Sequence, residues 1–304
     1  AGHAGPRRLV RVRNNGGVPP RTRVIRHESE AGRWDLSVRE PEAHVRADVL
    51  VLEDYEERVA EPVRHRHLPP VFVPLILNFG PPYRVFDLAD PAVSSEHGSF
   101  VGGLGESGAV TESPGMARCV QINLTPLGAR RFLGLPMHEL VDRVVPLADV
   151  LGPSALRLEE QLADARGADA RLALVESFLT ARIGAAEPVR PDVAYAWSRL
   201  EQTGGRVRIG ALAAELGCSR KHLGVQFRDH IGLLPKAVAR LLRFNRALSL
   251  VERGLDGAEI AHGCGYSDQA HFVKEFHRFS GSTPAAFARD AQVQFLQDAA
   301  ERAA

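Results

Sequence analysis

Ile260-Ala261-His262-Gly263-Cys264-Gly265-Tyr266-Ser267-Asp268-Gln269-Ala270-His271-Phe272, running on to Phe276, Gly281 and Pro284, is the stretch on which the reading of this chain turns. Gly265 breaks a helical pattern and supplies turn geometry that a residue with a Cβ resists. Ser267 is placed to cap the following helix by accepting a bond from one of its free backbone N–H groups. Phe272, Phe276 and Phe279 then recur at helical spacing and define an inward face. The outward face carries Gln269, His271, Lys274 and Arg278, the donors and cations that read base edges and hold phosphates. The residues therefore predict a helix-turn-helix whose second helix suits a DNA groove.

The same pattern occurs upstream. Leu212-Ala213, Gly217, Ser219, Leu223, Phe227, Gly232 and Pro235 align with Ile260-Ala261, Gly265, Ser267, Phe272, Phe276, Gly281 and Pro284. The offset is 48 residues before the turn and 49 after it, so the second turn or helix start holds one extra residue. Two helix-turn-helix units in tandem are expected.

On these residues, together with Thr283, Phe287 and the Arg243-Phe244-x-x-Ala247 element, the region from about 193 to 289 resembles the tandem helix-turn-helix domain of AraC/XylS-family transcription regulators. The remaining two thirds are more weakly similar to the N-terminal half of a poorly characterised branch of that family. In the first recognition helix the resemblance implies Lys221, Gly224 and Val225 as base-reading positions and Arg228 as a phosphate contact, with Arg220 also facing outward. In the second it implies Gln269, Ala270, His271 and Lys274, with Arg278 on the same face. Gly224 and Val225 depart from the longer polar side chains common there; a valine can touch a thymine methyl but donates nothing to guanine. The partners implied are double-stranded promoter or operator DNA, a small-molecule effector, RNA polymerase and a second copy of the chain. Activation is the implied mode of control.

Charge is distributed to match. Residues 193–289 hold fourteen Lys and Arg against eight Asp and Glu, a balance of +6, whereas the rest of the chain sums to −5 and the whole to +1. The cationic footprint for nucleic acid thus lies in the C-terminal third. A length of 304 residues accommodates two domains. The expected fold class is α+β and multidomain: a β-rich sandwich or barrel with following helices over 1–185, a stiff linker at 186–192, the all-α tandem domain over 193–289, and a tail at 290–304. The start, Ala1 to Arg8, has no apolar core of signal-peptide type, and no apolar run reaches membrane-spanning length, so a cytoplasmic protein is expected.

Within the first part, Asp48–Leu52, Val71–Phe79 and Cys119–Leu124 read as strands between turn clusters such as Pro81-Pro82, Gly102-Gly103 and Pro114-Gly115. Pro74 suggests that its strand lies at an edge or bulge. Thr125-Pro126 marks the change to helices, as a cap followed by proline at the first helical position. Further helical segments are expected near 137–141, 153–165 and 169–183. In the last of these, Leu172, Val175, Phe178 and Leu179 form a stripe that suits either a dimer contact or core packing. In the C-terminal part the helices expected are Val193–Glu201, Ile209–Leu216, Arg220–Ile231 and Lys236–Arg253, the last an 18-residue connector about 27 Å long.

Three further features carry blander readings. His65-Arg66-His67 places two imidazoles on one face of a strand, yet no Glu follows at the spacing of a metal site, and a strand end is expected rather than a metal centre. Gly102-Gly103-Leu104-Gly105 lacks the Lys-Ser/Thr ending of a phosphate loop and reads as a turn. Cys119, Cys218 and Cys264 match neither a disulfide framework nor a metal motif and suit packing. Residues 1–185 hold no nucleophile elbow, clustered Cys ligands or arguable Ser/His/Asp set, so neither an enzyme nor a cofactor is expected. Two readings of that part stay open: it senses an effector, or it only dimerises.

Overall fold

The structure is a computed structural model that describes residues 21–29, 32–87 and 92–290. The expected loose start and the tail beyond 290 lie outside the described residues. Eleven strands come first among these: β1 (Thr22–Ser29), β2 (Gly32–Arg39), β3 (Val49–Val59), β4 (Val63–His67), β5 (Val73–Asn78), β6 (Tyr83–Asp87), β7 (Ser94–His97), β8 (Phe100–Gly102), β9 (Ala109–Ser113), β10 (Met116–Leu124) and, after the first helix, β11 (Val144–Pro146). They form a seven-stranded sheet in the order β1-β2-β3-β10-β5-β8-β11 and a four-stranded sheet in the order β4-β9-β6-β7. Every pairing is antiparallel, as strands joined by short turns allow.

Alternation along β3 shows how the layers stack. Val51 and Tyr55 join Leu36, Ile76, Tyr83, Val85, Phe100 and Cys119 in one apolar cluster drawn from both sheets. Leu52 belongs to a second cluster with Phe132, Leu158, Leu172 and Val175 from the helices. The large sheet thus faces the small sheet on one side and helices on the other, the expected β-rich sandwich with following helices. The strand expected over Asp48–Leu52 runs on to Val59, because the acidic run Glu53–Glu57 continues the alternation instead of leaving for solvent.

Pro74 departs from expectation. Its strand β5 is interior, between β10 and β8. The proline is tolerated because β8 pairs with β5 only at Leu75 and Ile76, and Gly102 leaves room beside the pyrrolidine ring.

Thr125 Oγ1 accepts from Gly128 N at 3.0 Å and Pro126 takes the first helical position, opening α1 (Pro126–Leu133) as expected. A short 3-10 turn at Met137–Glu139, α2 (Leu147–Leu151), α3 (Pro153–Asp164) and α4 (Ala168–Gly184) follow. Leu172, Val175 and Leu179 are fully buried in the core and Phe178 packs edge-on to Phe132, so this stripe is core packing and offers no dimer face. Arg171 on the same helix reaches β3, with Nε and Nη2 on the two oxygens of Asp54 and Nη2 also 2.8 Å from Glu56.

The C-terminal part is all helix: α5 (Pro191–Gln202), α6 (Ile209–Glu215), α7 (Arg220–His230), α8 (Pro235–Glu252), α9 (Gly257–Cys264), α10 (Gln269–Ser280) and α11 (Pro284–Asp290). Pro191 opens α5 instead of closing a linker through 192, since proline at the first helical position forfeits no bond. No helix among the described residues is long and apolar enough to cross a membrane.

Candidate nucleic-acid interface

The two units are built alike. In each, a glycine in the left-handed region closes the first helix: Gly217 at φ 63° after α6 and Gly265 at φ 77° after α9. In each, the second helix starts on a side-chain cap that accepts from the backbone N–H of the helix's third residue. Ser219 does this for α7, accepting from His222 N. For α10 the cap is Asp268, not Ser267, and it accepts from His271 N. Ser219 and Asp268 are 49 apart, so the extra residue of the second unit lies in its turn, before the cap. Ser267 instead points its hydroxyl at Asp268 and at His271 Nδ1.

Phe272, Phe276 and Phe279 are buried on α10, and Phe244 of α8 and Phe287 of α11 complete the ring cluster around Phe276. Leu223, Phe227 and Ile231 do the same for α7. This inward packing sets which side chains remain outside. Arg220, Lys221, Val225 and Arg228 are exposed on α7, and Gln269, Ala270, His271, Lys274 and Arg278 on α10.

Gly224 corrects the outward reading of that position. It is buried, with Leu234 Cδ2 3.4 Å from where a Cβ would stand, and lacking a side chain it presents none to a ligand. Val225, 56% exposed, stands alone between Lys221 and Arg228 as an apolar contact.

His271 is pre-oriented. Ser267 N and Oγ approach its Nδ1 at 3.4 and 3.1 Å, and its ring stands edge-on to Tyr266. With Nδ1 accepting, the proton sits on Nε2, which becomes a donor of the kind guanine N7 or O6 accepts. Gln269 leans across Gly257 at the start of α9, where a Cβ would crowd its amide.

Arg278 is differently placed. Its guanidinium pairs with Glu106, in the loop after β8, and Arg240 of the connecting helix pairs with the other oxygen of the same carboxylate. Arg66 of β4 donates to the carbonyl of Ser280 at the end of α10. Asn245 of α8 donates to Pro69 O at 3.0 Å, and Arg130 of α1 pairs with Asp229 of α7 at 3.5 Å. Both recognition helices are therefore tied to the β-rich part. No sequence signal pointed to Glu106, whose partners lie 134 and 172 residues away.

The histidines read above as a strand end are β4 side chains facing the space between the sheets. His67 Nε2 lies 2.9 Å from Thr111 Oγ1, and His65 Nε2 lies 3.9 Å from Glu57. Cys119 and Cys264 are buried and Cys218 half-buried; burial pushes the Cys119 thiol up to about 12, so it stays a packed thiol.

A capped turn, a buried apolar face and an exposed polar face, given twice and joined by one helical connector, define a DNA-binding helix-turn-helix domain. Residues 212–290 match the family model described as "Helix-turn-helix domain". Over 92 residues the chain is 33% identical to the Msm operon regulatory protein of Streptococcus mutans serotype c (strain ATCC 700610 / UA159), an overlap of 30% of this chain and 33% of that relative. The chain thus spans a third of the length of the curated relative it matches. Among solved structures it is similar to ToxT from Vibrio cholerae, with a TM-score of 0.44 and 12% identity over 78% of this chain and 98% of that one. It is also similar to a transcriptional regulator with an AraC-type DNA-binding domain from Chromobacterium violaceum, with a TM-score of 0.31 and 25% identity over 34% and 93%. Structural likenesses of that strength decide nothing; the assignment rests on residues 212–290.

Proposed function

We propose that the chain is a sequence-specific, effector-responsive transcription regulator of the cytoplasm, an activator by the resemblance described above. The observation that carries this is the pair of equivalently capped helices, α7 and α10, whose exposed faces hold Arg220, Lys221, Val225 and Arg228, and Gln269, Ala270, His271 and Lys274. Base reading falls mainly to Gln269 and His271, with Val225 limited to a methyl contact, while the Lys and Arg side chains take phosphates. The reading carries with it a homodimer, checked by sedimentation of the full chain, and contact with RNA polymerase at the promoter.

Selection of bound sequences from a random DNA pool gives the operator. On that operator Gln269→Ala and His271→Ala should each cost about 1–3 kcal/mol at a matched base pair and relax sequence preference. Equal losses on selected and random DNA would overturn the division of labour. Absence of any salt-dependent DNA binding by the full chain would overturn the function itself.

Effector response is supported by one loop. Gly103, Ser107 and Gly108 line a cavity between the two sheets, and Glu106, among them, holds Arg240 and Arg278. An occupant of the cavity presses on the same loop that grips α10. Glu106→Ala should free both guanidinium groups for phosphate and remove a carboxylate that repels DNA. The expected result is several-fold to about tenfold tighter binding, with the slope of log affinity against log salt steeper by about 0.9 for each additional phosphate neutralised. Unchanged affinity and slope in fluorescence anisotropy would show that the grip of Glu106 does not restrain the domain.

A further inference from the structure

The cavity between the sheets measures about 370 Å³, at the lower end of the roughly 300–1,000 Å³ of small-molecule sites. Its wall on β3 presents Glu53, Tyr55 and Glu57 at successive inward positions. The two carboxyls are treated differently. Glu57 accepts from the hydroxyls of Tyr55 and Ser113, so it is satisfied by the protein. Against the pull of burial, its neighbours His65, Ser113 and Tyr55 hold it below the usual carboxylate range.

Glu53 is 0% exposed, and neither of its oxygens has a hydrogen-bond partner among the described residues. Its cross-strand neighbours are Val38 and Gln121, and the Gln121 amide donates to Asn123 Oδ1 at 3.0 Å rather than to Glu53. Burial pushes the Glu53 carboxyl up to about 8. A polar group left in this state costs on the order of 1–3 kcal/mol, and a fold that keeps it has a use for it.

The other groups around the cavity say what that use is. Arg143 borders it from an exposed position, where one Nη1 N–H donates to Glu139 O at 2.9 Å and the guanidinium keeps its charge. His67 is held neutral, its pKa lowered to about 4 by burial and by His65. Aromatic rings supply much of the remaining wall, with Tyr83 and Phe100 edge-to-face at 6.5 Å. Deep in the wall an anion would meet the Glu53 and Glu57 carboxyls, while the one guanidinium among the described lining residues, Arg143, is exposed at its border. Ring faces suit a cation through their quadrupoles, and a cation bound beside the buried Glu53 carboxyl favours its ionised form and gains a charge-assisted hydrogen bond.

We propose that this cavity is a binding site for a small, largely apolar organic cation, a protonated amine on an aromatic or aliphatic frame, with Glu53 as its counter-ion. The proposal rests on the effector-responsive reading above for its consequence and names the chemistry of the effector. Binding itself is read without DNA, so the two can fail separately.

The test is calorimetry of the full chain with three probes of one shape: tryptamine, tryptophol and indole-3-propionate. Tryptamine should bind at least tenfold more tightly than the alcohol or the acid. Glu53→Gln, which keeps the shape and removes the charge, should bring the amine and the alcohol to within twofold. Should that variant not fold, the three probes on the wild-type chain still decide. Equal binding of all three, preference for the propionate, or no binding of tryptamine at millimolar concentration would overturn the proposal. Retained operator binding in the same preparation would show that only the cavity assignment had failed.

Discussion

Replacing Arg171 with Met is expected to cost the fold about 3–5 kcal/mol, read as a drop in the denaturation midpoint of the full chain. Arg171 is 4% exposed and forks onto Asp54, itself 3% exposed, while its guanidinium also lies 5.2 Å from the Phe79 ring centre. The hydrogen bond to Asp54 raises the guanidinium's pKa further, so the cation is permanent. Methionine fills much of the space yet leaves the Asp54 carboxylate buried without its partner, which is the expensive part. The double variant Arg171→Met, Asp54→Leu should therefore recover most of the loss. A double variant as unstable as the single one would place the cost in packing rather than in the orphaned charge.

The second large effect is expected at Phe276. It is fully buried on α10, and the rings of Phe244, Phe272 and Phe287 lie 5.4–5.8 Å from its own. Phe276→Ala should cost about 3–5 kcal/mol through lost burial and the cavity left behind. DNA binding should fall with it, because the same inward face holds Gln269, His271 and Lys274 outward. Phe276→Leu, which retains an apolar side chain, should lose much less of both. If Phe276→Ala melted like the wild type, α10 would not be anchored by this cluster.

These two sites differ in how far the sequence exposed them. Phe276 was legible because a helix-turn-helix is local: the spacing of Phe272, Phe276 and Phe279, the break at Gly265 and the repeat beginning at Leu212 all lie within short windows. Even the cap was one residue from its expected place, because Ser267 and Asp268 are both competent to cap and only the turn geometry selects between them. Gly224 was read as outward from its position in the motif, whereas its burial follows from Leu234 folding back over it, beyond the helix itself.

The β-rich part was legible as strands but not as an arrangement. Placing β10 between β3 and β5 joins segments far apart in the chain, and no local pattern encodes that order. Arg171 and Asp54 are 117 residues apart, and Glu106 and Arg278 are 172 apart. The expected strand stopped at Leu52, because alternation alone does not reveal that the acidic run from Glu53 to Glu57 continues a strand covered on both faces.

That double covering has a practical consequence for anyone wishing to retune the molecule. Along β3, Leu52 and Asp54 serve the helical layer and hold the domain together, whereas Glu53, Tyr55 and Glu57 serve the space between the sheets. Because strand side chains alternate strictly, the two duties are written on interleaved letters of one short word. Libraries confined to positions 53, 55 and 57 can therefore explore new chemical tastes while the neighbouring letters keep the scaffold intact. A frame slip of a single residue would swap the two vocabularies and ruin both.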